Sequence, residues 1–197
     1  VKNSVRMNPV SEADLEIHAE GSTATARYIQ AIPDQNLTDG GEAQVKVNRG
    51  IVEADVNNDI LYLACLERYG RNGNIGKCMV KGIGLKQGAF AQSIAHDTHN
   101  MTVVGTNLRD MVAAINRVIE MGGGVAIANN GRVINELALP VGGLITDELT
   151  GPEVSAKIAD LESTVRDQLG GTLHAPFMHV SFLALSTSPK FKISDKG

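Results

Sequence analysis

The most sharply bounded feature of the sequence is a helix predicted over residues 107–121. Asn107 is a good N-cap residue, and Asp110 stands where a side chain reaches back in a capping box. The glycines at 122–124 should end the helix, because glycine readily adopts the left-handed conformation of a C-cap. Apolar residues recur between these ends at helical spacing, namely Leu108, Met111, Val112, Ile115, Val118 and Ile119. The fold must therefore accommodate an amphipathic helix with one core-facing side.

A second helix is predicted over residues 151–169. Thr150 and Glu153 form a capping-box pattern, and Pro152 is tolerated in the first turn of a helix. The glycines at 170 and 171 should end it. Its apolar stripe consists of Val154, Ile158, Leu161, Val165 and Leu169. These two helices are the principal ones that the pattern supports.

Most of the remaining chain has the patterns of β-strands. Residues 59–69 form a near-continuous apolar run, typical of a central strand, and a turn at 70–74 joins them to a further strand at 75–83, so a hairpin is expected. A second hairpin is predicted around Asn130 and Gly131. The other predicted strands are 23–32, 44–48, 101–105, 125–128 and 132–139, with a loop at 37–42. The apolar run 176–185 is too short to classify by its period.

Strands mixed with two helices, without strict βαβ alternation, predict an α+β fold with mixed or antiparallel sheets. The chain has 197 residues, of which 43% are hydrophobic and 20% charged. A chain of this length can bury a core without disulfides or structural metals, and we expect a single domain over 1–197.

Cys65 and Cys78 both lie in apolar runs, which predicts buried, reduced thiols as in a cytoplasmic protein.

Charge and hydropathy argue against several classes of partner. The formal net charge is −4, and no basic stripe with interleaved aromatic residues is present, so no nucleic-acid partner is expected. No apolar stretch is long enough to span a bilayer, so no membrane partner is expected either. The first residues lack the apolar region of a signal peptide, and a start at Val1 suits a piece of a longer protein.

The segment from His96 to Asn100 has the highest density of chemically useful side chains. It contains two histidines, an aspartate and an asparagine between two apolar stretches, where a rigid scaffold can direct reactive groups. A metal site could use His96, Asp97 and His99 as ligands. Alternatively, the carboxylate and the imidazoles could act in acid–base or orienting roles. The third alternative is a polar loop that only satisfies buried backbone groups.

Other motifs give weaker signals. Ser93 lacks the G-x-S-x-G context of a nucleophilic serine, and the triple glycine follows a helix, whereas a phosphate loop would precede one. His174 and His179 are five residues apart and fit no single helical face, so they are expected to be hydrogen-bonded within the protein or exposed.

Several segments in their order along the chain resemble the C-terminal region of adenine deaminases. The similarity runs from about Val5 onward, and it includes the segment His96–Asn100. The other matching segments are 73–76, 80–89, 103–107, the methionine-containing helix with the glycines at 122–124, 139–148, 173–178 and 181–185. The sequence departs from the family pattern at Thr98, Ala175 and His179 and over 186–188.

The resemblance implies a cytoplasmic enzyme of the amidohydrolase superfamily that hydrolyses adenine to hypoxanthine and ammonia in purine salvage. A binuclear divalent metal centre (manganese, iron or zinc) would generate the attacking hydroxide. Its ligands would lie in a barrel that this sequence lacks, so this chain should bind no metal tightly and be inactive alone. The expected partners are adenine and the barrel, and an apolar face left exposed could support a homo-oligomer.

The resemblance also implies roles for the polar segment. His96, Asp97 and His99 are expected to be catalytic by lining or closing the adenine site. Ser93 and Asn100 are expected to contribute to substrate binding by holding the loop. Two alternatives stay open: a non-catalytic binding or regulatory module with the same fold, and a self-sufficient metallohydrolase. The second of these is the weaker, because catalytic metal ligands rarely stand so close together in the sequence.

Overall fold

A nine-stranded mixed sheet organises the part of the chain that the computed structural model describes, Lys2 and residues 4–197. Its order is β3-β2-β1-β5-β4-β7-β6-β8-β9. The strands are β1 (Thr23–Ala31), β2 (Thr38–Asn48), β3 (Ile51–Val52), β4 (Leu61–Leu66), β5 (Ile75–Lys81), β6 (Ala89–Gln92), β7 (Met101–Gly105), β8 (Gly124–Asn129) and β9 (Arg132–Ala138). Strands β1 and β5 pair in parallel, and the other neighbours pair antiparallel. The expected α+β class with a mixed sheet is confirmed.

The predicted hairpin at the centre of the sheet is present. Leu61 lies opposite Val80 and Leu66 opposite Ile75 in the antiparallel pair β4–β5. Every residue of β4 is buried, because helices and connecting segments cover both faces of the sheet there. This double burial explains why β4 is a continuous apolar run with no alternation. The second predicted hairpin, β8–β9, is also confirmed.

Strand β2 is longer than predicted. It begins at Thr38, so the segment 37–42, predicted as a loop, is mostly part of the strand. The prediction failed because Gly40 and Gly41 were interpreted as turn residues. Their missing side chains instead make room for aromatic rings, since a Cβ on Gly40 would overlap Phe191 and one on Gly41 would overlap Tyr28.

Both principal helices are confirmed, as α2 (Leu108–Glu120) and α3 (Gly151–Leu169). The Asn107 side chain accepts a bond from the Asp110 backbone N–H at 2.8 Å. In the predicted capping box, the Asp110 carboxylate would accept from the backbone N–H of Asn107. It accepts instead from the side-chain amide of Asn107 and from the backbone N–H of Gly131. In α3, the backbone N–H and hydroxyl of Thr150 both donate to Glu153 Oε2 at 2.7 Å.

Elements without a clear sequence pattern complete the fold. The unclassified apolar run becomes helix α4 (Pro176–Leu183), and a short helix α1 (Glu12–Leu15) and a 3-10 turn at Val56–Asn58 were not predicted. Helices α3 and α4 pack on the sheet face that carries Leu63, Cys65, Phe90 and Val104, whereas α2 packs on the opposite face. The segment His96–Asn100 lies in the connection from β6 to β7, next to α4.

Candidate functional site

The polar segment forms the connection between two antiparallel strands, β6 and β7, whose last register pair is Gln92 with Thr102. Ser93 anchors the beginning of this connection and is fully buried. Its hydroxyl accepts from the Gly124 backbone N–H at 2.8 Å and donates to the Gly143 carbonyl at 2.6 Å. The hydroxyl therefore joins the loop to the beginning of β8 and to the segment after β9. This placement gives Ser93 a role in holding the loop.

His96 is half-buried and contacts α4. Its backbone N–H donates to the Ser181 carbonyl at 3.3 Å, and its ring Nδ1 lies 3.1 Å from Ser181 Oγ. The Ser181 hydroxyl already donates its proton to the Met178 carbonyl, so His96 Nδ1 is the donor in this pair. The ring also stacks on Phe182 with centroids 5.2 Å apart. The orientation of the His96 imidazole is therefore fixed by a hydrogen bond at one edge and a ring contact on one face.

Asp97 and Thr98 form the exposed tip of the loop. The Asp97 carboxylate accepts a long hydrogen bond, 3.4 Å, from the Thr187 hydroxyl. Thr98 is fixed through its backbone, because its carbonyl accepts from the Tyr69 hydroxyl at 2.6 Å. Its own hydroxyl accepts from the Asn100 backbone N–H at 3.3 Å. The carboxylate of Asp97 is the least constrained side chain of the segment.

His99 has the most unusual environment in the loop. Its backbone has a positive φ of 51°, and its N–H donates to the Ala95 carbonyl at 2.6 Å. Its carbonyl accepts from Arg68 Nε. The ring nitrogen Nδ1 is buried and has no hydrogen-bond partner in Lys2 and residues 4–197. Burial lowers the pKa of the imidazole below its usual 6.5, and the nearby positive charge of Arg68 lowers it further. His99 is thus a neutral imidazole at pH 7 with an unused nitrogen.

Asn100 closes the segment and is buried, with 4% of its surface exposed. Its side-chain amide donates to the Asp195 carboxylate at 3.2 Å. It also contacts the thiol of Cys65, whose pKa is raised to about 12 mainly by burial. Asn100 therefore ties the beginning of β7 to the C-terminal tail and to the core of β4.

Two charged residues at the end of β4 were missed at the sequence level. Arg68 is 1% exposed and binds the loop, while Glu67 is 5% exposed. Burial alone would raise the pKa of Glu67, but four backbone N–H groups of residues 69–73 donate to its carboxylate and hold the pKa below the usual value. Glu67 and Arg68 could have been found as an adjacent pair of opposite charges directly after a continuous apolar strand.

The predicted site residues are only partly brought together. The rings of His96 and His99 approach with centroids 6.3 Å apart, whereas Asp97 is directed toward Thr187 and Ser93 is enclosed beneath the loop. Within the described residues, no three His, Cys, Asp or Glu side chains are grouped so that they could hold a metal ion. The alternative of a metal site made by His96, Asp97 and His99 therefore has no geometric support.

The two histidines near α4 behave as expected from their spacing. His179 is buried, its Nε2 accepts from the Asp34 backbone N–H at 2.8 Å, and its Nδ1 donates to the Ala175 carbonyl at 2.9 Å. His174 is exposed. Between the Asp34 turn and α4 lies a surface cavity of about 560 Å³, with Met178 and Phe182 in its lining. Phe182 thus links this cavity to the His96 ring.

Exposed apolar side chains occur near the same cavity. Leu37 and Met178 lie on its rim and are 44% and 51% exposed, although both are large and apolar. In the part of the chain that the structure describes, every helix is too short or too polar to cross a bilayer.

Comparisons with known proteins extend the geometric picture. The family model described as the adenine deaminase C-terminal domain matches residues 35–197. The chain is 59% identical over its whole length to adenine deaminase 1 of Carboxydothermus hydrogenoformans. It is 39% identical to adenine deaminase of Methanococcoides burtonii over its whole length, and 41% identical to that of Kosmotoga olearia over 99% of it. In each case the chain spans about a third of the relative's length (33%, 34% and 33%).

Proposed function

Because the chain belongs to the adenine deaminase C-terminal domain family, we propose that it serves an enzyme that hydrolyses adenine to hypoxanthine and ammonia. The remaining two thirds of such an enzyme would carry the catalytic barrel. In this proposal the connection from β6 to β7 faces the mouth of the active site and helps to close it over the purine. Purine salvage in the cytoplasm is the process that this reaction would serve.

The observation that carries the proposal is the state of His99. The backbone of the loop is fixed by bonds to the carbonyls of Thr98 and His99, yet the His99 ring keeps a buried nitrogen without a partner in the described residues. A buried polar atom without a hydrogen bond is costly, and a catalytic role or a bound ligand is among the reasons for which proteins keep such an atom. Because the backbone is held on both sides of His99, the direction of its imidazole is fixed, which suits the orientation of a small polar substrate.

Adenine offers chemistry that matches these groups. Its ring nitrogens accept hydrogen bonds, its exocyclic amine donates them, and hydrolysis at C6 requires proton transfers to and from the ring and the departing amine. A neutral His99 imidazole can donate at one nitrogen and accept at the other. His96 Nε2 is the ring nitrogen that Ser181 does not use. We assign substrate orientation and proton relay to His99 and His96, with Asp97 as a nearby acceptor.

Ser93 and Asn100 have supporting roles in this proposal. Both are buried, and their side chains bond to groups inside the domain. They contribute to substrate binding by fixing the two ends of the loop, without touching the purine.

The binuclear metal centre implied by the family does not fit the side chains of Lys2 and residues 4–197. The described residues contain no cluster of His, Cys, Asp or Glu suited to a metal ion, and His96 donates Nδ1 to Ser181. We therefore place the metal ligands in the remaining part of the enzyme and derive no step of the reaction through the metal here. By the same reasoning, the isolated chain should not deaminate adenine.

The proposal is tested by kinetics of the complete enzyme with His96→Ala and His99→Ala, each compared with His174→Ala. His174 is exposed and lies outside the loop, so it controls for the loss of a histidine. The loop variants should lose about 100-fold or more in kcat at unchanged metal content, because a positioned acid–base group contributes on this order. Kinetics equal to the His174→Ala control would refute the assignment and would favour a packing or regulatory role for the domain.

A further inference from the structure

We propose that Arg68 and Tyr69 are positioning residues that hold His99 in its working orientation in the deamination reaction. The inference rests on the proposed function, since it assigns a role to residues that act through His99. Arg68 and Tyr69 follow β4 after one intervening residue, Glu67, and β4 pairs with β7, the strand into which the loop leads. Neither residue needs to touch the substrate in order to act.

The two side chains bind successive carbonyls of the loop. The Tyr69 hydroxyl donates to the Thr98 carbonyl at 2.6 Å, and Arg68 Nε donates to the His99 carbonyl. The Thr98 carbonyl belongs to the peptide plane before His99 and the His99 carbonyl to the plane after it, so fixing both sets the φ and ψ of His99 and with them the direction of its side chain. The left-handed φ of His99 is uncommon for a residue other than glycine, so the backbone needs such external support.

Arg68 is itself held on several sides. Its guanidinium donates to Ser4 Oγ at 2.8 Å and to the Gly142 carbonyl at 2.8 Å, and it lies over the Tyr69 ring at 4.8 Å. All its hydrogen-bond partners in Lys2 and residues 4–197 are neutral. A buried cation without a carboxylate is costly to keep. The planar guanidinium donates hydrogen bonds to three separate segments at once in a fixed geometry, which the single ammonium group of lysine cannot do.

Arg68 also acts on the imidazole through its charge. Burial is the main cause that lowers the pKa of His99, followed by the charges of Arg68 and His96, while Asp97 opposes them. On the neighbouring elements, the phenol of Tyr69 faces the Thr98 carbonyl and the Asp195 carboxylate faces the Asn100 amide. The guanidinium therefore favours the neutral imidazole, the form that can both donate and accept a hydrogen bond.

The experiment compares Arg68→Met, Arg68→Lys and Tyr69→Phe in the complete enzyme, with Arg132→Met as the matched control. Arg132 is exposed at the beginning of β9. Arg68→Met should lower kcat by about 10- to 100-fold, the loss expected when a reacting group is displaced by about 1 Å. Tyr69→Phe removes one hydrogen bond and should lower kcat by about two- to tenfold with little change in KM. Arg132→Met should match the wild type.

A pH profile distinguishes positioning from general loss of structure. The acidic limb of kcat/KM should move to higher pH in Arg68→Met and stay in place in Arg68→Lys, which keeps the charge. The movement should vanish when Arg68→Met is combined with His99→Gln. Tyr69→Phe keeps the ring under the guanidinium, so it provides the kinetic test if Arg68→Met does not fold.

Two failures can be told apart. If His99→Ala retains wild-type kinetics, the proposed function of the loop is wrong and the positioning role falls with it. If His99→Ala is impaired while folded Arg68→Met and Tyr69→Phe keep the wild-type kcat and pH profile, only the positioning role is overturned.

Discussion

Replacing Ser93 by alanine should destabilise the chain by about 2–6 kcal/mol. The Ser93 hydroxyl is fully buried and is bonded to the N–H of Gly124 at 2.8 Å and to the carbonyl of Gly143 at 2.6 Å. Its removal leaves a buried donor and a buried acceptor unsatisfied, and each such group costs about 1–3 kcal/mol. The backbone bond from Ser93 N–H to the Gly124 carbonyl remains, so the strands stay close and water cannot easily replace the hydroxyl.

The assay is equilibrium unfolding of the 197-residue chain in urea, with Ser155→Ala as the control. Ser155 lies on the exposed surface of α3, so the same change there should be neutral or slightly stabilising through helix propensity. In a thermal scan Ser93→Ala should melt about 4–24 °C lower. A Ser93→Ala variant within about 0.5 kcal/mol of the wild type would refute the reasoning, because that is the range of ordinary surface substitutions.

Three further predictions concern glycine, cysteine and histidine. Gly124→Ala should lower the free energy of unfolding in urea by at least about 2–4 kcal/mol, because φ is 134° and a Cβ would overlap a backbone carbonyl of β9. In the control Gly151→Ala the new Cβ meets no neighbour, so that change should be neutral or stabilising. Burial raises the pKa of Cys65 to about 12, so a thiol-specific disulfide reagent at pH 8 should label Cys65 only after unfolding; Cys78, which was also expected to be buried, is partly exposed, and rapid labelling of both thiols in the native chain would contradict the prediction. Because folding lowers the pKa of His99, the unfolded state takes up a proton first as the pH falls below 6.5, and the folded state then loses stability. His99→Gln should flatten this part of a plot of the urea midpoint against pH. An unchanged slope would speak against a neutral His99.

Helices α2 and α3 could be predicted because their signals are local. The cap residues and the apolar stripe lie within a few residues of each other, and the structure confirms their ends to within about one residue. Helix α4 could not be classified, because nearly all of its faces are buried and its apolar residues show no period. Strand β2 was truncated in the prediction because the ring that covers Gly40 belongs to Phe191, far along the chain.

In the candidate site, too, local features could be predicted from the sequence, and contacts between distant residues could not. The polar density of 96–100 is visible in the sequence, and the structure places His96 and His99 next to each other. The bonds that give the loop its shape are not visible, because Arg68 reaches His99 across 31 residues and Asn100 reaches Asp195 across 95. Periodicity reports burial along one element, but it carries no information about which distant side chain will meet a given carbonyl.

The central claim is that the β6–β7 connection closes over the purine in the complete enzyme. Hydrogen–deuterium exchange of that enzyme, measured with and without hypoxanthine, tests it most directly. The amides of Asp97 and Thr98 lie at the exposed tip of the loop and should exchange quickly without the purine and more slowly with it, whereas the exposed turn at Arg49 should not change. Equal exchange of residues 96–100 in both states, with hypoxanthine bound, would contradict the account.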